Sequence, residues 1–179
     1  MENLNNCTIV ITTFFSGKKI EECLKKIPDK FSKIIVDNGC EIEKKVYFEK
    51  KYKNLIYMIP GQNLGVPKSY DYALKMVKTK YMFNTQPDVL INENCIEILL
   101  KSVKNYPNAA ILSPIIFHEG KYSPDGDHKI FKLDKKNKLI NKKFISMKNF
   151  YPDGDFSVDA VTGTAMLIDV DEIKEINGW

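Results

Sequence analysis

Tyr81-Met82-Phe83-Asn84-Thr85-Gln86-Pro87-Asp88-Val89-Leu90-Ile91 decides how this chain is read. It opens as an apolar, aromatic run, which predicts a buried strand. The run stops at Pro87-Asp88, and a helix is expected to follow. In an α/β sheet, ligands bind in the crevice beyond the carboxyl ends of the strands. A carboxylate at such an exit makes Asp88 the candidate anchor for a metal ion or a substrate.

Working outward, the same strand-then-helix rhythm recurs. Cys7 to Phe14 is apolar and β-branched, as in a strand covered on both faces. Ser16-Gly17 breaks it, and Ile20, Cys23, Leu24 and Ile27 then recur at helical spacing until Pro28. Lys33-Ile34-Ile35-Val36 is a second strand, closing on Asp37-Asn38-Gly39. This β-α-β order implies parallel strands.

A helix over about 41–52, with Ile42 and Val46 along its register, leads to a strand over 54–59. The turn-rich loop Pro60-Gly61-Gln62-Asn63-Leu64-Gly65 follows. Val66, Tyr70, Ala73, Leu74 and Val77 mark one face of the next helix. Beyond Asp88, Asn92 is the expected N-cap, with Glu93 in the first turn. Residues 109–116 and 157–168 read as further strands. Asp169 or Asp171 is expected to cap a last short helix, with Gly178 at its C′ position.

Residues from about 118 to 156 form a polar excursion with at most a hairpin, Ile130 to Leu133 against Leu139-Ile140. Six strands with helices between most of them predict a single α/β domain over residues 1–179, with a mostly parallel sheet.

Composition narrows the classes. At 179 residues and 44% hydrophobic content, the chain can bury one substantial core. Lys+Arg exceed Asp+Glu by 27 to 23, and the excess is spread along the chain. No lysine cluster is interleaved with stacking aromatics, so no nucleic-acid partner is expected. Lysine pairs such as Lys18-Lys19 and Lys142-Lys143 read as solvated faces; peripheral contact with an anionic membrane is the alternative. Cys7, Cys23, Cys40 and Cys95 form no C-x-x-C pair and suit a reducing compartment. With no signal-peptide pattern and no apolar run of membrane-spanning length, the expected location is the cytoplasm, with the inner face of the membrane as a variant.

Three candidate sites fall at strand exits: Thr12-Thr13, Asp37-Asn38 and Asp88. In a parallel sheet these exits share one edge and can line one pocket. Asp37 suits a nucleobase or ribose edge, which needs an acceptor. Asp88 suits a hard divalent cation, Mg²⁺ or Mn²⁺, that would neutralise a diphosphate. Each has a plainer reading, Asp37 as a turn former and Asp88 as a helix approach. The glycine-rich fingerprints of P-loop and dinucleotide folds are absent, as is G-x-S-x-G. His118 and His128 lie in the polar excursion and read as loop residues. Asp125-Gly126-Asp127 and Asp153-Gly154-Asp155 read as turns, and Asp169-Val170-Asp171 as helix capping.

The order of these pieces resembles the family 2 glycosyltransferases of the GT-A fold, in particular their rhamnosyltransferase-like branch. The resemblance rests on Thr8 to Phe14, Ile34 to Gly39, Asn63-Leu64-Gly65-Val66, Pro87-Asp88-Val89 and Val161 to Ile168, in family order and at family-like intervals. It implies transfer of a sugar, with inversion, from a UDP- or dTDP-sugar to a hydroxyl of a glycan or lipid-linked acceptor. By the same resemblance, the ends of the first two strands, Thr12, Thr13, Asp37 and Asn38, meet the nucleotide, with Asp37 on a uracil or thymine ring. Asn63 and Gly65 match the loop close to the nucleotide. Asp88 matches the last aspartate of the metal motif, with Gln86 in place of the first. Gly163 and Thr164 match the segment under the sugar.

Where relatives carry Arg-Asn or Asn-Asn and a glycine in the third helix, this chain has Tyr70-Asp71 and Ala73, with Lys68 as the nearby positive charge. In the family, a segment like Ile176 to Trp179 is followed by an Asp-Glu motif and a later Glu-Asp pair that supplies the general base. The expectation is therefore a fold incomplete at its C-terminus, with no base to name among residues 1–179. A donor-binding module without transfer activity is the alternative.

Overall fold

Seven consecutive buried residues, Cys7–Thr13, make β1 the central strand. Its alternate side chains feed two different cores. Cys7, Ile9 and Ile11 point to one face, and Val10 to the other. Burial on both faces is why the run is apolar throughout rather than alternating.

The computed structural model describes residues 6–92, 94–118, 121–122, 129–133, 139–144, 155, 157–158 and 161–179. After β1 come α1 (Lys19–Lys26), β2 (Ser32–Asp37), α2 (Ile42–Lys51), β3 (Leu55–Met58), α3 (Gly65–Leu74) and β4 (Tyr81–Thr85). Then follow α4 (Cys95–Ser102), a 3₁₀ turn (Val103–Asn105) and the short strands β5 (Ile111–Leu112), β6 (Phe117–His118) and β7 (Lys121–Tyr122). The remaining elements are β8 (Lys129–Leu133), β9 (Leu139–Phe144), β10 (Ala165–Asp169) and α5 (Val170–Glu175).

Six strands form one sheet in the order β3-β2-β1-β4-β10-β5. β1, β2, β3 and β4 are parallel, whereas β10 runs antiparallel to both β4 and β5. The expected mostly parallel α/β sheet is therefore present. The expected hairpin in the polar excursion is present as β8 and β9. On one face, Ile20, Cys23 and Leu24 of α1, Phe48 of α2 and Ile96, Leu99 and Leu100 of α4 cover the sheet. On the other, Tyr70 and Ala73 of α3 and Val170 and Ile173 of α5 do so.

Several sequence expectations shift. Ile42 and Val46 of α2 are 70% and 69% exposed, so they do not form its buried stripe. The helix instead turns Phe48 inward, where its ring stacks on Tyr57 at 5.7 Å and on Tyr52 at 6.0 Å. Phe48 meets two other rings, and such aromatic pairs add to simple burial, which sets the rotation.

The strand expected over 109–116 shrinks to Ile111–Leu112, because Pro114 cannot donate to a ladder. That expected over 157–168 narrows to Ala165–Asp169. α4 begins at Cys95, not at Asn92. The Asn92 side chain accepts from the Asn94 backbone at 3.3 Å, which makes a turn before the helix; Glu93 lies outside the described residues.

At the end of α5, Asp169 caps the helix as expected, accepting from the Asp171 N–H at 3.1 Å. Its C-terminus is a Schellman closure in which Asn177 takes the left-handed C′ position (φ 65) and Gly178 follows it. The Gly178 N–H reaches the Ile173 carbonyl at 3.0 Å, and the Asn177 N–H reaches that of Lys174 at 3.1 Å.

The outer edge of β3 is managed by α2. Tyr57 N–H donates to Glu49, and Lys45 Nζ donates to the Tyr57 carbonyl, at 2.9 and 2.7 Å. Side chains thus take up edge groups that another chain could otherwise pair with.

Candidate nucleotide-sugar site

Because β1 and β2 are parallel, Thr13 and Asp37 end side by side; they are direct partners in the register. β4 lies on the other side of β1, with Ile11 opposite Thr85, so Gln86 and Asp88 leave the sheet at the same edge. Thr12-Thr13, Asp37-Asn38 and Asp88 therefore share that edge, as the strand exits predict.

Asp37 is completely buried and already occupied. Its Oδ1 accepts from Gly39 N at 2.9 Å, and its Oδ2 accepts from Glu41 N at 2.7 Å and from the Tyr57 hydroxyl at 3.0 Å. It ties the loop after β2 to the start of α2. Burial, and then the Asp37 charge, push the Tyr57 hydroxyl far above its ordinary pKa.

Asn38 does the same for the neighbouring loop. Its Oδ1 accepts from Leu64 N at 2.9 Å and from the Ser69 hydroxyl at 3.1 Å, and its Nδ2 lies 2.9 Å from the same hydroxyl. Ser69 also reaches the Gly65 carbonyl at 2.7 Å. Asn63 closes the turn by accepting from Gly65 N at 2.8 Å. Gly65 has φ +71, a conformation that suits glycine at this entry into α3. Lys68 is exposed on the first turn of α3.

The Gly163-Thr164 segment reaches the same region through α3. The Tyr70 hydroxyl donates to the Gly163 carbonyl at 3.2 Å, and the Thr162 and Thr164 hydroxyls lie 3.0 Å apart. Burial pushes the Tyr70 hydroxyl up to about 12, with Thr12 opposing the shift. Thr12 Oγ1 nevertheless meets no partner in hydrogen-bond geometry. The same holds for both amide atoms of Asn84 and for Thr85 Oγ1, all buried. Such orphaned groups each cost about 1–3 kcal/mol, and here they sit at the ends of β1 and β4.

Asp88 is exposed and makes no hydrogen bond or ion pair to another described residue. Among the described residues no cluster of three His, Cys, Asp or Glu side chains exists. One free carboxylate at the strand exit still fits Mg²⁺ or Mn²⁺, since such ions often take one or two carboxylates with substrate phosphates and water. Residues 123–128 and 151–154, which hold most of the two Asp-Gly-Asp turns, lie outside the described residues, as does His128.

A family model, glycosyl transferase family 2, matches residues 8–172. The chain belongs to glycosyltransferase family 2. Solved structures share the GT-A architecture. S. aureus TarS 1-349 in complex with UDP-GlcNAc superposes with a TM-score of 0.65 at 16% identity, over 96% of this chain and 47% of that one. The same protein in complex with UDP gives 0.65 at 17% identity, over 96% and 48%. The mannosyltransferase PcManGT from Pyrobaculum calidifontis, in complex with GDP-Man and Mn²⁺, gives 0.58 at 11%, over 97% and 47%. The chain thus spans about half the length of these proteins. No curated protein sequence matches it significantly. Among the described residues no helix is long and apolar enough to cross a membrane.

At this candidate site Ser69 and Phe15 escaped the sequence reading, and Tyr70 and Phe14 entered it in other roles. Ser69 joins Asn38 to α3, and Tyr70 carries Gly163. Phe14 was expected inside the first strand, but β1 ends at Thr13, and Phe14 and Phe15 are 56% and 62% exposed. Their rings pack edge to face at 4.6 Å, and Phe15 has φ 48, a strained value for an aromatic residue. Its ring is 3.3 Å from where a Cβ on Gly39 would sit, so Gly39 makes room for it. The available signal was two aromatics directly after a strand, followed by Ser16-Gly17.

Proposed function

We propose that this chain is the donor-binding part of an inverting family 2 glycosyltransferase of the rhamnosyltransferase-like branch, using a UDP- or dTDP-sugar. The observation that carries this reading is the shared edge of Thr13, Asp37 and Asp88, joined to the Asn63–Gly65 loop through Asn38 and Ser69. In the reaction, an acceptor hydroxyl oxygen attacks the anomeric carbon while a general base takes its proton. The bond from that carbon to the diphosphate breaks, and the nucleoside diphosphate leaves with the charge.

Asp88 is the residue that would hold Mg²⁺ or Mn²⁺, which supplies charge neutralisation for the departing diphosphate. Gln86 stands beside it as a neutral oxygen donor. The exposed Phe14–Phe15 pair offers a face to the base. Asp37, fully buried and bonded to Gly39, Glu41 and Tyr57, shapes the base edge through the loop it holds. Lys68 supplies positive charge for the phosphates, and Gly163 and Thr164 line the sugar side. The acceptor is a hydroxyl of a glycan or lipid-linked sugar, met in the cytoplasm or at the inner membrane face.

Calorimetry with UDP, dTDP and GDP, in Mn²⁺ and in EDTA, tests the reading. UDP or dTDP is expected to bind more tightly with Mn²⁺, and Asp88→Ala to remove only that increment. Equal affinity in Mn²⁺ and EDTA would take Asp88 out of the metal role. No binding of any of the three nucleotides would remove the donor site.

A further inference from the structure

The carboxylate assigned to the cation stands on a turn, and that turn is fastened from beneath. β4 ends at Thr85, and Gln86-Pro87-Asp88-Val89 follows as a turn with Pro87 and Asp88 at its centre. The Val89 N–H closes it on the Gln86 carbonyl at 3.1 Å. Proline is preset for the second position of such a turn, which leaves Asp88 the third. Pro87 is buried, and Val89 is half-buried against the core under α1 and α4. Asp88 between them is exposed.

A second donor reaches the same carbonyl from another element. The Cys23 thiol of α1 lies 3.8 Å from the Gln86 oxygen, within reach for a sulfur donor. A carbonyl oxygen has two lone pairs, and here each has a donor. Cys23 is fully buried on the stripe it shares with Ile20 and Leu24, and its thiol is the one polar group of that stripe. Burial, and then the Asp88 charge, push the thiol up to about 12, so the carboxylate stands on the α1 side of the turn.

The plainer reading makes Cys23 a small buried hydrophobe that only packs. Two observations go beyond packing. Among the described residues no other side chain bonds to residues 86–89, so the thiol is the turn's one side-chain tie to the rest of the fold. α1 also begins just past the Thr13 exit, so one helix links the nucleotide end of β1 to the cation end of β4. A carboxylate on a loosely tied turn loses more freedom when it captures an ion, and each tie lowers that cost. Groups that hold a metal ligand from behind matter to affinity for this reason, although they never touch the ion.

We propose that Cys23 is a positioning residue for the cation: its thiol pins the Gln86 carbonyl, and the pinned turn holds the Asp88 carboxylate in place for Mg²⁺ or Mn²⁺. The inference rests on the reading of Asp88 as the cation's carboxylate.

Cys23→Ala and Cys23→Val bracket the volume of the native side chain, and both lack its donor. Calorimetry with UDP and dTDP, in Mn²⁺ and in EDTA, compares them with Asp88→Ala. In both Cys23 variants the affinity in EDTA should stay within about twofold, while the gain from Mn²⁺ should shrink about threefold to tenfold. Amide exchange at Val89 should quicken in both, ahead of Phe83 within β4. A gain kept by Cys23→Val and lost by Cys23→Ala would reduce the residue to packing and overturn the proposal. Equal losses in Mn²⁺ and EDTA, or unchanged exchange at Val89, would do the same. Asp88→Ala tells the two possible failures apart. If it keeps the Mn²⁺ gain, the metal reading falls and this inference falls with it. If it abolishes the gain while both Cys23 variants keep it, only the role of the thiol falls.

Discussion

The Tyr70 hydroxyl and the Gly163 carbonyl, 93 residues apart in sequence, are joined by a hydrogen bond of 3.2 Å. The next residue of α3 makes a matching contact: Asp71 Oδ1 accepts from Trp179 N at 2.9 Å, and the Trp179 ring lies 5.5 Å from that of Tyr70. Where relatives are expected to carry groups that meet phosphate or sugar, α3 uses these two side chains to fasten the segments after β9 and α5. Tyr70→Phe should therefore lower stability by about 0.5–1.5 kcal/mol. Its effect on a nucleotide-sugar should exceed that on the bare nucleoside diphosphate. Urea unfolding and paired calorimetry check this, and equal loss for both ligands would detach Gly163 from the sugar.

Asn38 ties the loop before α3 to the exit of β2. Asn38→Ala removes the acceptor for Leu64 N, whereas the Ser69 hydroxyl keeps the Gly65 carbonyl. The expected loss is about 1–3 kcal/mol in urea unfolding. Hydrogen exchange should quicken at Leu64 and Gly65 before it quickens in β1. Uniform acceleration would mean a global effect and refute the local one.

Gly178 is required for room as well as for its φ of +95. A Cβ there would stand 2.4 Å from Asp71 Oδ1. Gly178→Ala should destabilise by about 1–3 kcal/mol. Asp71→Ala should recover only the steric part, because the backbone strain remains. Full recovery in the double variant would show that the conformation carries no penalty.

Stability should fall in alkali. Burial pushes the Cys7 and Cys23 thiols up to about 12 from an ordinary 9.0, with Asp88 adding to the effect on Cys23. Above pH 9 the unfolded chain loses these protons while the folded chain keeps them, so each thiol contributes stability that is lost as pH rises from 9 towards 12. At pH 10 the loss is about 1.4 kcal/mol per thiol. Lys33 acts in the opposite direction: burial lowers its folded pKa, so its contribution rises with pH up to the ordinary lysine value. The raised groups outnumber the lysine, because burial also pushes up the Cys95 thiol and the Tyr57 and Tyr70 hydroxyls. Urea midpoints from pH 7 to 10.5 should decline, and Cys23→Ala should flatten the decline.

Much of this was legible from the residues. Cys7 to Thr13 and Ile34 to Asp37 announced buried parallel strands because covering both faces leaves no polar position to disguise them. The shared edge then followed from parallel order. α2 was misread because its rotation depends on Phe48 meeting Tyr57, a contact with no sequence period. Asp37 looked like a free acceptor because its three donors come from Gly39, Glu41 and Tyr57, and two of those are backbone groups invisible in a string of side chains. Phe15 was missed because a left-handed aromatic residue has no local signature; its room comes from Gly39 on the next strand exit.

The sheet order has a consequence for biogenesis. β10 lies between β4 and β5, yet it is synthesised after both. When residues 81–112 leave the ribosome, β4 has one ladder satisfied by β1, and its other side waits for residues 165–169. At translation rates of about 5–20 residues per second, that vacancy lasts several seconds. During that interval the open ladder of Tyr81–Thr85 can pair with a neighbouring nascent chain. Slow stretches of the message after residue 112 would lengthen this exposure, and chaperone demand should peak there.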